Sequence, residues 1–227
     1  MDSDDYLERN IIEILVGEVC KSGVDIVAAG FEREDMDGNH MGYFVPNERI
    51  ECTGIMGLRR HYQDRTNGME LVYVWGKLYR KEIFKELRFK ENIKYEDIEL
   101  MPKIMMQIQE MVYLPVIGYH YVFRNDSISN NSDNFTDLYK DAFKIWDSHL
   151  KLYVECGMKE FERYVSFLIC EKIVNHNISN SIPEDCKEWS LKKINENILK
   201  AIPAKLRIKR KTRLLFYWLL LESNRKN

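Results

Sequence analysis

The sequence lacks a hydrophobic run long enough to cross a membrane. No stretch of its 227 residues approaches the roughly 20 consecutive apolar residues that a membrane-spanning helix needs. The first thirty residues also lack the basic, apolar and small-residue order of a signal peptide. These absences predict a cytoplasmic protein.

Cysteine is sparse and follows neither a metal-binding nor a disulfide pattern. The cysteines are widely spaced along the chain and form no Cys-x-x-Cys motif, which favours free thiols over a disulfide framework or a zinc site. The five cysteines are Cys20, Cys52, Cys156, Cys170 and Cys186.

Charge is unevenly distributed, although the formal net charge is only −2. Residues 187–227 contain 12 Lys and Arg against 3 acidic residues, whereas residues 1–186 contain 22 against 33. The final segment, KLRIKRKTRLLFYWLLLESNRKN, places this basic cluster beside an apolar, aromatic patch. Two interpretations stay open: a helix lying on an anionic membrane surface, and a core helix with a solvated basic edge. Nucleic-acid binding is not expected, because the basic residues are not interleaved with stacking aromatics.

Hydrophobic periodicity changes from mixed to purely helical along the chain. The predicted elements are an opening helix that includes Leu7, Ile11, Ile14 and Leu15, a strand at VDIVAAGFE, a loop or hairpin over 33–47, a strand at 71–74 that leads into a helix, a helix at KYEDIELMPKIMMQIQ and a strand at MVYLPVIGYHYVFRN. From Asn134 onward every segment has helical period. We therefore predict a mixed α/β region over residues 1–130 and an α-helical region over residues 131–227, divided at the polar segment NDSISNNSDN.

The chain opens with several carboxylates close together. In an extended segment residues i and i+2 point the same way, so Asp2 and Asp4 can present two carboxylates on one side. Such a pair suits Mg²⁺ or Mn²⁺, which fill their remaining positions with water and phosphate oxygens. The alternative interpretation is a charged cap before the opening helix.

A second acidic pair stands in YEDIEL. Glu96 and Asp97 lie at the start of a predicted helix, where the macrodipole favours ionised carboxylates. An ionised carboxylate can accept a proton from a substrate hydroxyl as a general base. The alternative is that the two acids simply cap the helix.

Three segments together resemble a known family. DSDDYL, then VYVWGKLYRKEIFKELRFKENIKYEDIEL, then YHYVFRNDSIS are similar to the bacterial family 2 glycosyltransferases of GT-A fold, with their Asp-x-Asp, Lys-Leu-Tyr-Arg, Glu-Asp and Ser-Ile motifs. The resemblance covers roughly residues 1–130 and implies a partial GT-A domain. Since Met1 stands where the family has an apolar strand residue, we expect the N-terminal nucleotide-binding half to be absent.

The resemblance also implies an activity and its residues. The activity is metal-dependent, inverting transfer of a sugar from a nucleotide-diphosphate donor to a hydroxyl of a glycan or lipid-linked acceptor, in cell-surface polysaccharide synthesis. Asp2 and Asp4 match the positions that hold Mg²⁺ or Mn²⁺, Asp97 matches the base, and Glu96 is its supporting neighbour. Substrate contacts are implied for Asp5, Trp75, Lys77, Arg80, Arg124 and Ser127.

Other interpretations remain beside this one. His120 in the Tyr-His-Tyr segment is interpreted as a hydrogen-bonded strand histidine rather than a metal ligand. A non-catalytic remnant whose basic tail docks on a membrane or a partner is the main alternative function. A metal-dependent phosphohydrolase is less favoured, because no second His or Asp cluster appears at ligand spacing.

Overall fold

The computed structural model describes residues 4–63, 73–124, 135–178, 182–206 and 208–224. The chain divides into two compact units, Met1–Asp133 and Asn134–Asn227. The first combines a mixed sheet with helices, and the second is built from helices. The predicted fold class, α/β followed by an α-helical region, is confirmed.

The first unit alternates short strands with helices. In chain order its elements are β1 (Tyr6–Leu7), α1 (Ile11–Ser22), β2 (Ile26–Glu34), β3 (His40–Phe44), β4 (Ile50–Thr53), α2 (Gly54–Gln63), β5 (Lys77–Tyr79), α3 (Glu96–Gln107) and β6 (Glu110–Val122). A 3₁₀ turn over Lys81–Lys85 follows β5.

Two long strands, β2 and β6, form the parallel centre of the sheet. Along the outer edge of β2, the first residues pair with β5 and the last residues pair with β3. Along the outer edge of β6, the first residues pair with β4 and later residues pair with β1. All four outer strands run antiparallel to the central strand that they join. The carboxyl ends of β2 and β6 therefore lie between β1 and β3, so that polar side chains from four strands meet there.

One face of the sheet is covered by α1. Val27 and Ala29 of β2 form a buried cluster with Ile11 and Leu15 of α1. Gly118 of β6 lies so close to Ile11 that an added Cβ would clash with that side chain. Alternating residues on the pleat point to opposite faces, and β2 is buried on both, which explains its continuous apolar run.

The second unit consists of α4 (Phe135–Glu155), α5 (Lys159–Ile178), α6 (Lys187–Ala201) and α7 (Ile208–Asn224). Helix α5 packs against each of the other three. Large aromatic side chains fill the core of this unit, and those that are almost fully buried are Phe143, Tyr153, Phe161, Tyr164 and Phe167.

Helix α7 carries the basic and aromatic tail. It has features of a core helix with a basic edge and also of a helix on a membrane surface. Arg210 donates two hydrogen bonds to the Glu171 carboxylate, at 2.8 and 2.6 Å, and Leu214 is buried. Phe216 and Leu219 instead expose about 60% of their surface. Within the residues that the structure describes, no helix has the length and apolarity that a membrane crossing requires.

Some local predictions were wrong. Leu7 belongs to β1 rather than to the opening helix, because it pairs with Tyr119 of β6, a partner that local periodicity does not reveal. The strand expected at 71–74 lies partly outside the described residues, and the strand observed in this region is β5. The helix expected after it is only the 3₁₀ turn.

Other local predictions are confirmed. The segment 33–47 contains a hairpin between β2 and β3, and α3 and β6 lie where the periodicity placed them. All five cysteines are free thiols.

Candidate active site

Asp97 occupies the first turn of α3. The helix begins at Glu96, directly after Tyr95, whose backbone has a φ of 65° in the left-handed region. One Asp97 oxygen accepts a hydrogen bond from the Ile98 N–H at 2.7 Å. Glu96 is exposed, whereas Asp97 is partly buried. The helix start therefore turns one carboxylate inward and leaves its neighbour in water.

Burial raises the pKa of Asp97 from 3.8 to about 6. The Ile98 N–H and the charge of Lys77 act in the opposite direction, and the nearby Glu96 carboxylate adds to the rise. The expectation that the helix start favours ionisation is thus outweighed by desolvation. The group is still mostly ionised at pH 7, yet it is a stronger base than an ordinary aspartate, which suits a general base.

Lys77 and Tyr79 of β5 lie near Asp97. The Lys77 ammonium donates to the carbonyl of Tyr73, and it lies 3.4 Å from the carbonyl of Trp75. Burial and the charge of Asp97 both raise the pKa of Tyr79, whose hydroxyl donates to the Val74 carbonyl at 2.9 Å. Lys77 thus lies close enough to Asp97 for its charge to lower the pKa of that carboxyl.

Trp75 lies within a row of stacked aromatic rings. Its ring centroid is 4.4 Å from that of Tyr73 and 4.3 Å from that of Tyr119, with the rings nearly parallel. Trp75 also lines a cleft of about 340 Å³, bounded by α1 and the segment around β5. Lys77, Tyr79, Leu7 and Ile11 line the same cleft. An aromatic wall beside a cation suits a ligand with both apolar and anionic parts.

The opening carboxylates differ in their contacts. Asp5 is buried, and its oxygens accept hydrogen bonds from the Tyr119 hydroxyl at 2.5 Å and the Val122 N–H at 2.9 Å. Asp4 is exposed, with one oxygen 3.8 Å from a guanidinium nitrogen of Arg124. Asp5 therefore ties the opening segment to β6, and Asp4 presents its carboxylate to solvent.

The exposed Asp4 carboxylate is chemically compatible with a hard divalent cation, and its described neighbour is the Arg124 guanidinium. Mg²⁺ needs only one or two protein carboxylates when substrate phosphates and water complete its shell, and an exposed carboxylate beside a strand end meets that requirement. Asp2, the other predicted metal ligand, and Ser127, a predicted substrate contact, lie outside the described residues.

Arg80, a predicted substrate contact, lies away from the opening carboxylates Asp4 and Asp5. Its guanidinium lies 2.9 Å from the Asp25 carboxylate and donates to the Gly23 carbonyl at 2.6 Å. Asp25 immediately precedes β2, whereas Asp5 is bound to the far end of β6 at Val122. The nine residues of β2 separate these ends by roughly 30 Å at the usual rise per residue.

His120 is a hydrogen-bonded strand histidine. Its Nδ1 lies 2.7 Å from Glu34 and its Nε2 lies 3.0 Å from Glu8. Burial lowers the pKa of His120, but the bonds to Glu34 and Glu8 outweigh burial and raise the pKa above the ordinary value. No sequence motif pointed to Glu8 or Glu34 as partners of His120. The one available signal is that Glu32 and Glu34 alternate at the end of a buried strand, a spacing that places them on one face.

The chain is a distant homologue of bacterial glycosyltransferases and has the GT-A fold. It is 26% identical over 133 residues to the glycosyltransferase GlyA of Streptococcus pneumoniae, covering 57% of this chain and 19% of GlyA. It is 24% identical over 181 residues to the uncharacterized glycosyltransferase EpsJ of Bacillus subtilis, covering 77% of this chain and 49% of EpsJ. No protein-family model matches the chain.

The fold matches the crystal structure of residues 1–349 of TarS from S. aureus, with a TM-score of 0.60 and 13% identity. That match covers all of this chain and 65% of the TarS chain. The chain thus spans about half of EpsJ and about a fifth of GlyA. Since the EpsJ match is longer than the first unit, similarity extends into the helical unit, where the motifs gave no resemblance.

Proposed function

We propose that this chain carries out metal-dependent, inverting sugar transfer from a nucleotide-diphosphate sugar to a hydroxyl of a glycan or lipid-linked acceptor, in cell-surface polysaccharide synthesis. The observation that carries the proposal is the partly buried Asp97 carboxylate, whose pKa is about 6, on the first turn of α3. It stands in the Glu-Asp motif of a chain that is homologous to glycosyltransferases.

Asp97 acts as the general base toward the acceptor. The acceptor oxygen attacks the anomeric carbon, the bond from that carbon to the diphosphate oxygen breaks, and the hydroxyl proton moves to Asp97. Because the attacking and leaving oxygens lie on opposite faces of the sugar, the anomeric configuration inverts. Glu96 supports this role, since its negative charge raises the basicity of Asp97.

The cleft beside β5 holds the reacting partners. Trp75 lines this cleft as part of its aromatic wall, and Lys77, which also lines it, supplies positive charge near Asp97. Arg124 lies beside Asp4 and offers a second cation for the diphosphate. Asp5, bound to Tyr119 and Val122, acts by fixing the segment that carries Asp4.

Asp4, together with Asp2, holds Mg²⁺ or Mn²⁺. When bound, the ion supplies neutralising charge for the departing nucleoside diphosphate. Asp4 is suited to this role because its carboxylate is exposed beside the end of β6.

Contact with an anionic membrane is a second function of the helical unit. The exposed Phe216 and Leu219 share α7 with the basic residues Lys209 and Arg213. Apolar insertion combined with positive charge is the usual basis of binding at a lipid interface. Such contact would hold the protein at the inner face of the membrane, close to a lipid-linked acceptor.

The test of the transfer activity compares the wild-type chain with Asp97→Asn. Purified protein is incubated with a panel of nucleotide-diphosphate sugars and hydroxyl acceptors, with Mn²⁺, Mg²⁺ or a chelator, and release of nucleoside diphosphate is measured. We expect metal-dependent turnover in the wild type and a loss of about 10²–10⁴-fold in Asp97→Asn. Glu91→Gln, which removes an exposed acid from the preceding loop, is the matched control.

Nucleotide binding is measured on the same proteins by calorimetry. Asp97→Asn should bind the nucleoside diphosphate within about twofold of the wild type, because the base contacts the acceptor and not the diphosphate. Equal loss of binding and turnover would contradict the base assignment. Absence of metal-dependent turnover of any donor by the folded wild-type chain would contradict the proposed function.

A further inference from the structure

We propose that Glu32, Glu34, His40 and His120 form a binding site for a divalent transition-metal ion of the zinc class, separate from the carboxylate of Asp4. The site lies on one face of the sheet, at the carboxyl ends of β2 and β6. It is independent of the proposed sugar transfer.

Strand pairing places the four side chains in two adjacent rows of the sheet. Glu32 of β2 pairs in register with His120 of β6, and Glu34 of β2 pairs with His40 of β3. Glu32 and Glu34 are two residues apart on one strand and share a face. Each row therefore contributes one carboxylate and one imidazole, and all four residues lie on strands.

One atom from each of Glu32, Glu34 and His120 is close enough to share one ion, and His40 contacts the cluster through Glu32. His120 Nδ1 lies 2.7 Å from one oxygen of Glu34 and 3.9 Å from one oxygen of Glu32, and these three ligand atoms all lie within 4.8 Å of one another. His40 Nδ1 lies 2.5 Å from the other oxygen of Glu32. Tetrahedral zinc holds its N and O ligands about 3.3 Å apart, so shifts of about one ångström would bring the atoms of Glu32, Glu34 and His120 to that spacing. The exposed His40 side chain would turn toward the ion as the fourth ligand.

The surroundings of His120 are those of a metal-binding histidine. Its second ring nitrogen, Nε2, lies 3.0 Å from the Glu8 carboxylate. The Tyr6 ring stacks on the imidazole with centroids 4.3 Å apart, and the Tyr6 hydroxyl donates to Glu34 at 2.6 Å. Outer partners of this kind fix the ring and carboxylate orientation in zinc sites. Glu8 and Tyr6 therefore hold the side chains of His120 and Glu34 in place.

The donor chemistry distinguishes this site from a magnesium site. Imidazole nitrogen suits zinc and neighbouring transition metals, whereas Mg²⁺ takes oxygen ligands. Three carboxylates, from Glu8, Glu32 and Glu34, also give the cluster a negative field that a divalent cation would neutralise. His120 is buried and His40 is half exposed, so the ion would enter from the side of β3.

The test is calorimetric titration of the full chain with Zn²⁺ after treatment with a chelator. Cys20 and Cys156 are exposed thiols that could bind zinc on their own, so the titrations use a Cys20→Ser, Cys156→Ser background. We expect one saturable site, and a loss of affinity of more than tenfold in Glu32→Gln and in His40→Ala. Both positions are partly exposed, so that these variants should fold. Glu8→Gln, which removes only the outer partner, should weaken zinc binding about 10–100-fold.

Two matched controls separate this site from the rest of the molecule. His61→Ala removes a histidine of α2 outside the cluster, and Glu91→Gln removes an exposed acid of the loop before α3; both should keep the wild-type zinc affinity. Absence of saturable zinc binding would overturn the proposal. Unchanged affinity in Glu32→Gln and His40→Ala, with native circular dichroism, would overturn it as well. Since the readout is zinc binding, the result does not depend on whether the chain transfers sugars.

Discussion

Partly buried charge is handled differently at Asp97 of the α/β unit and between the helices of the second unit. In the helical unit, charges join helices in complementary pairs: Arg210 with Glu171, and Lys193 with Asp147 at 2.5 Å. In the α/β unit, Asp97 is held where burial disfavours its charged form. A charge that packing opposes is typical of a functional site, whereas a charge matched across two elements is typical of structural support. The comparison is the basis for the proposal that Asp97, in the α/β unit, takes part in the chemistry.

The largest effect on stability is expected inside the helical unit. Leu214→Ala removes a buried side chain of α7 and should lower the free energy of unfolding by about 2–5 kcal/mol. Phe216→Ala, two residues further along, removes an exposed side chain and should change stability by less than about 0.5 kcal/mol. Urea denaturation of both variants measures the difference.

The same pair of variants tests the membrane surface of α7. Co-sedimentation with vesicles that contain anionic phospholipid should decrease severalfold for Phe216→Ala. Unchanged vesicle binding in Phe216→Ala would remove Phe216 from the membrane surface, and absence of binding by the wild type would assign α7 to packing alone.

A smaller change in the free energy of unfolding, this time a stabilisation, is expected for Asp97→Asn. The folded-state pKa of about 6 lies above the ordinary 3.8, so ionising this carboxyl costs folding energy. The contribution of the Asp97 carboxyl to the free energy of unfolding is most favourable below pH 4, and it is lost as the pH rises through 6. Asp97→Asn should therefore stabilise the protein at pH 8 by on the order of 2 kcal/mol, with no gain at pH 3.5.

Thermal or urea unfolding of Asp97→Asn and the wild type across this pH range measures the gain. Glu91→Gln, as the exposed control, should give no comparable change. A destabilised Asp97→Asn at pH 8 would place Asp97 with the structural charges of the helical unit.

The smallest effect on stability is expected in the opening segment, where Asp5→Asn and Asp4→Asn should differ. Asp5→Asn disturbs the hydrogen bonds from Tyr119 and Val122 and should cost about 1 kcal/mol of stability. Asp4→Asn should leave stability unchanged and weaken nucleoside diphosphate binding only when Mg²⁺ or Mn²⁺ is present. Identical binding with and without metal in both the Asp4→Asn and wild-type proteins would remove Asp4 from the site.

Local patterns predicted the elements that carry Asp97, but not its environment. The spacing of Met101, Ile104, Met105 and Ile108 predicted α3, and all four are buried. The macrodipole argument for Asp97 considered only its own helix. Burial, which sets the direction of its pKa shift, depends on how the rest of the unit packs around this helix start.

By itself, the sequence determined the division into an α/β and a helical part, the positions of α3 and β6, and the motifs that resemble a glycosyltransferase. These features depend on residues close together in the chain, where apolar periodicity and composition act directly. Tertiary structure alone decided that Asp5 is an anchor for Tyr119, 114 residues away, and that His120 meets Glu8 and Glu34, 112 and 86 residues away. Strand register sets such contacts, and the pairing partner of a strand cannot be read from its own pattern.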